Sequence, residues 1–187
     1  IKLFRTRINL ITMRIVQTFW TANNSLLENG FGWSHPQYHL MSWALSCLSL
    51  RENYNNVVFY TDSNGYKVFI ELLKLPYTDV VVQYDDLPCP DIHWAYPKIF
   101  TYSLQKEPFI HVDGDVHLPC RLDASIESGT LIAQNMEMGT QYYKNMMNDL
   151  LRRDYRMPEF LHKVLERDVI PSYNAGFLGG NDLDFIQ

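Results

Sequence analysis

Cysteine is scarce in this sequence, with three in 187 residues, at Cys47, Cys89 and Cys120. Their odd number and wide separation argue against a disulfide framework and leave no zinc-ligand spacing. Such usage suits a reducing compartment and predicts a cytoplasmic location, with peripheral attachment to a membrane as the alternative. Long apolar runs are missing too, and none approaches the roughly 20 residues that a membrane-spanning helix needs. Positive charge is short. Lys and Arg number 16 against 21 acids, a net charge of −5, which argues against nucleic acid as a partner. No repeat or low-complexity segment is present.

What remains is ordinary globular material. Apolar residues make up 47% and charged ones 20%, enough to give one α/β domain a core of its own. Aromatics are abundant at 14%, with 12 Tyr and 4 Trp. They serve either as packing or as flat surfaces that stack on bases and sugar faces.

The chain is organised around residues 108–118. There the apolar strand Phe109-Ile110-His111-Val112 runs straight into Asp113-Gly114-Asp115. In an open α/β sheet, ligands sit just beyond the carboxyl ends of strands. Two carboxylates so close need a positive partner to stay ionised. A hard divalent cation, Mn²⁺ or Mg²⁺, that also carries substrate phosphates is the partner expected. Gly114 keeps the turn slim enough for a bulky ligand to approach its backbone.

Around this stretch, strands alternate with helices. Residues 1–12 are basic and apolar without a cleavage signature, and read as an N-terminal extension before a domain spanning 13–187. Residues 14–20 form the first strand. After a polar loop, Pro36 opens a helix with Leu40, Ala44, Cys47 and Leu48 on its apolar stripe. Residues 57–60 form a second strand ending at Asp62, which either caps the next helix or meets a ligand. Val68, Leu72 and Leu75 mark that helix, and Pro76 stops it. Residues 80–82 form a third strand. Pro97 opens a helix that carries Lys98, either a surface lysine or a contact to phosphate or sugar. Beyond the acid pair, His117 is placed to share a strand face with Asp115. Residues 131–133 form a strand, and Met138, Tyr142, Met146 and Leu150 return to helical spacing. Arg152, Arg153 and Arg156 sit near that helix's end, where cations suit its dipole. Pro158 opens a short helix. Asn181 or Asp182 caps a last helix that has barely begun, so the domain is expected to be C-terminally incomplete.

This order, with the segments 57–62, 109–116 and 173–180, resembles a nucleotide-sugar glycosyltransferase of the GT-A fold. It is similar in particular to the glycogenin-like and blood-group-type retaining families. The resemblance implies a Rossmann-related, mixed and mostly parallel sheet flanked by helices. It implies transfer of a sugar from a nucleotide-diphosphate sugar, a UDP-sugar, to a hydroxyl of a saccharide acceptor. Carried over by position, Asp113 and Asp115 hold the metal, and Asp113 also faces the ribose. Thr18 and Asp62 lie near the base, Lys98 near the donor sugar or phosphate, and Asn174 and Asp182 beside the acceptor. Asp182 is then the first candidate for the base of an inverting reaction. The later His that completes the metal site in some of these families has no counterpart here. Two other readings stay open. One is a sugar- or nucleotide-binding module without catalysis, and the other is an Asp-dependent phosphoryl hydrolase.

Overall fold

The computed structural model describes residues 13–90, 93–139, 141–153, 156–167 and 169–187. The expectation for residues 1–12 lies outside them. The protein is an α/β fold, with a six-stranded mixed sheet flanked by helices. In chain order, β1 (Arg14–Thr18) leads to α1 (Pro36–Asn53), β2 (Val57–Thr61), α2 (Ser63–Tyr66) and β3 (Asp79–Val82). Then come α3 (Tyr96–Ser103), β4 (Phe109–Val112), α4 (Ala124–Glu127), β5 (Ile132–Met138) and α5 (Gln141–Arg152). The chain closes through α6 (Glu159–Leu165), β6 (Pro171–Gly180) and α7 (Leu183–Ile186).

The strands lie in the order β3-β2-β1-β4-β6-β5. The first four pair in parallel, and β6 runs antiparallel to both β4 and β5. β2 and β4 are largely apolar and buried throughout, and β1 is buried at its centre, Ile15, Val16 and Gln17, as strands inside a two-sided sandwich must be. Alternation along each strand divides the core. Phe19 and Phe59 pack with Trp43 and Cys47 of α1 on one face. Val16, Val58, Tyr60 and Phe109 pack with Tyr102 of α3 on the other. From β1 the chain winds outward through β2 to β3, then crosses back to lay β4 on β1's other side. The strand order therefore reverses between β1 and β4, and a crevice opens at their carboxyl ends.

Several local expectations need correction. β1 stops at Thr18, so Trp20 falls in the following loop. The buried face of α1 is His39, Ser42, Trp43, Ser46, Cys47 and Leu50, and Leu48 points outward. This helix is apolar on every side, so hydrophobic spacing alone does not identify its inner face. After α2 the chain takes a π-helical turn, Lys67–Leu72, in which Leu73 N–H bonds to Val68 C=O. That wider repeat leaves Leu72 exposed and puts Leu75 in the core from beyond the helix. Met138 ends β5 and is not part of α5. His117 lies in a loop, and so shares no strand face with Asp115. Among the described residues no helix is long and apolar enough to cross a membrane.

Candidate functional site

β4 ends in a tight turn that places Asp113, Gly114 and Asp115 at the crevice. Val116 N–H donates to Asp113 C=O at 3.1 Å, closing the turn, and Asp113 N–H donates to Gly176 C=O of β6 at 2.7 Å. Helix α1 grips the turn from one face of the sheet. Ser42 Oγ donates to Gly114 C=O at 3.0 Å and Ser46 Oγ to Val116 C=O at 2.7 Å. Gln17 Nε2, buried under the same turn, reaches Val112 C=O at 3.3 Å. Gly114 is required by packing as well. A side chain at 114 would enter the indole of Trp43, so the protein's own tryptophan already requires a glycine there.

Helix α3 grips from the other face. Lys98 Nζ lies 2.7 and 2.8 Å from the two carboxylate oxygens of Asp113 and 2.8 Å from Ala175 C=O of β6. Two hydrogen bonds, to Asp113 Oδ2 and to Ala175 C=O, hold the ammonium in place, and its charge is paired with the Asp113 carboxylate. The positive partner that the acid pair calls for is therefore supplied, at Asp113, by the chain itself. Burial pushes the Asp113 carboxyl above its ordinary pKa, against the pull of Lys98. Behind the pair, His111 is buried, and its Nδ1 stands 3.6 Å from Asp113 Oδ1. Burial, aided by Lys98, holds that imidazole well below its usual pKa, so it is neutral.

A cavity of about 480 Å³ opens from this turn. Its polar wall is Thr18, Lys98, Asp113 and Asp115. The remainder is largely aromatic. Phe19, Trp20, Phe31 and Trp33 come from the segment after β1, His39 and Trp43 from α1, and Trp94 from the segment before α3. Phe31 takes a left-handed backbone, with φ +46°, to bring its ring within 5.1 Å of Phe19 and 5.0 Å of His39. Such a conformation persists in a bulky residue only when its surroundings hold it. The size and lining suit a small organic ligand.

The residues singled out from sequence scatter. Thr18, Lys98, Asp113 and Asp115 meet at this cavity. Asp62 does not line it. Its carboxylate caps α2 through Gly65 N–H at 2.8 Å and accepts from Thr21 N–H at 2.9 Å and Thr21 Oγ at 2.5 Å. Asn174 stands next to Ala175, but its amide bonds Glu137 Oε1 at 3.0 Å and Gly176 N–H at 2.8 Å. Asp182 lies at the far end of the sheet. β6 is antiparallel and pairs Gly180 with Phe109, so Asp182 follows the amino end of β4. Strand geometry puts it about 13 Å or more from the acid pair. There it caps α7 through Phe185 N–H at 3.1 Å. His117 Nε2 approaches Ser42 Oγ at 3.3 Å. Sequence reasoning missed Gln17, His39, Ser42, Trp43 and Ser46. For His39, Ser42 and Ser46 the one available signal was the presence of polar residues within a run of apolar helix.

Among the described residues, no three His, Cys, Asp or Glu side chains group as ligands for a metal ion. Two carboxylates are nevertheless enough for Mg²⁺ or Mn²⁺ that arrives with phosphate oxygens. The donor set fits that use, with Asp115 the exposed member. No curated protein and no solved structure matches the chain. One family does, over residues 13–187: the chain belongs to DUF6734, a family of unknown function.

Proposed function

We propose that the protein is a metal-dependent glycosyltransferase of GT-A-like fold, moving a sugar from a UDP-sugar to a hydroxyl of a saccharide acceptor. One observation carries this reading. The acid turn opens into a ligand-sized cavity where the strand order reverses between β1 and β4. Asp115 would hold Mn²⁺ or Mg²⁺ against the diphosphate, with Asp113 as the second carboxylate. A bound ion there supplies Lewis-acid stabilisation of the departing diphosphate.

The chain's own residues do the rest. Gly114, pressed on Trp43 and anchored by Ser42, fixes the direction in which the acids project. Lys98 ties the Asp113 carboxylate to β6. The aromatic wall would limit the access of water to the reacting carbon. Asp62, Asn174 and Asp182 take no part in this reading.

Thermal melts with UDP and Mn²⁺, alone and together, test it. The pair together should raise the midpoint, because a ligand selective for the native state stabilises it by mass action. Asp115→Ala should abolish that rise. No shift with any nucleoside diphosphate sinks the reading. Binding without transfer or donor hydrolysis would favour a non-catalytic nucleotide- or sugar-binding module.

A further inference from the structure

The rim of the cavity is made of indoles left bare. Trp94 is 74% exposed and Trp33 43% exposed, and both line the opening. They come from different parts of the chain, one after β1 and one before α3, yet converge on one mouth. Single exposed hydrophobic residues need no explanation, but converging ones beside a polar pocket mark a binding site.

The charge of the wall narrows the ligand. Among the described residues Lys98 is the one Lys or Arg of the lining, and its charge is paired with Asp113 while it also donates to Ala175 C=O. His39 is held neutral, with a pKa lowered by burial to about 4. Among the described lining residues, then, no side-chain cation stands without a counter-charge to meet a bare anion. The unengaged charge is Asp115, which makes no ion pair among the described residues. Thr18 Oγ donates to Thr101 Oγ at 2.8 Å, which spends its proton and leaves it only as an acceptor. These groups accept hydrogen bonds, so the matching ligand brings several donors. It also needs a face of weakly positive C–H bonds to lie on the negative face of an indole. A pyranose has both.

We propose that Trp33 and Trp94 form a saccharide subsite, which stacks the C–H face of a neutral pyranose while its hydroxyls donate to Asp115. The subsite goes beyond the transferase reading, because it needs neither nucleotide nor metal. That independence makes the two failures distinguishable.

The test is saturation-transfer NMR on the full chain in EDTA, without nucleotide, using methyl glycosides of neutral hexoses and N-acetylhexosamines, with uridine in parallel. Transfer should concentrate on the ring C–H protons of at least one glycoside. Trp94→Ala and Trp33→Ala should each weaken that glycoside's binding by about tenfold, and Trp94→Phe by less. Melting of the Trp94 variants should be unchanged, since that side chain stands mostly in water. The proposal is overturned by silence from every glycoside at millimolar concentration. It is equally overturned if Trp94→Ala binds as the parent does. Transfer to the uracil of uridine alone, lost in Trp94→Ala, would make the indoles a base platform and also overturn it.

Discussion

His39 makes acid sensitivity a measurable property of the cavity wall. The ring is 4% exposed, and its Nε2 has no hydrogen-bond partner. Burial lowers its pKa from 6.5 to about 4, with Asp115 pulling weakly the other way. In the unfolded chain His39 takes up a proton near pH 6.5, whereas in the folded protein it resists until about pH 4. Its contribution to stability is therefore complete above pH 6.5 and is lost as pH falls toward 4. The gap of about 2.5 units, at roughly 1.36 kcal/mol each, makes that loss about 3 kcal/mol. His39→Leu keeps the apolar contacts and removes the titrating group. At pH 7 the variant should lie within about 1 kcal/mol of the parent, because the atom it removes is unpartnered. Urea unfolding of both proteins at several pH values between 7 and 4 supplies the test. His111 and Asp113 titrate in both, so their effects cancel in the difference. The parent should lose about 3 kcal/mol relative to the variant across that range. Parallel stability curves, or a gap opening above pH 7, would refute the argument.

Lys98→Met removes the cation from Asp113 and leaves Ala175 C=O without its partner. The carboxylate is 32% exposed, so the loss should fall below the 3–5 kcal/mol of a fully buried pair, at about 2 kcal/mol in urea unfolding. Asp113 already titrates high, and without Lys98 it titrates higher. Protonation relieves the unpaired charge, so the deficit should narrow as pH falls toward 4, and a deficit that widens in acid contradicts the pairing. Gly114→Ala drives a methyl group into the Trp43 ring and should cost about 1–3 kcal/mol by the same measurement, and a neutral result would mean that the indole does not sit there.

Much of the central sheet was legible because its signals are local. β2 and β4 are short, largely apolar runs, Pro36 and Pro97 stand in the first turns of α1 and α3, and the acid pair follows β4 as the order of elements requires. The π-helical turn after α2 carries no such mark, and it displaced the expected face. The inner face of α1 was hidden for another reason. Ser42 and Ser46 point inward because carbonyls of the acid turn wait there, a demand set by residues about 70 positions away. Lys98 was picked out as a cation near the site, but its engagement with both Asp113 and Ala175 depends on β6 lying beside β4. Strand direction explains Asp182. No local pattern says that β6 runs against β4, and that reversal carries the residue to the opposite end of the sheet.

The contact between Trp43 and Gly114 joins two positions 71 residues apart in a single volume. Neither can drift alone. Where an aligned member of DUF6734 has a small residue in place of this indole, a side chain at the glycine becomes admissible. Where the indole stays, the glycine stays with it. The two alignment columns should therefore change as a pair, and the turn's geometry can be followed across the family from those two letters.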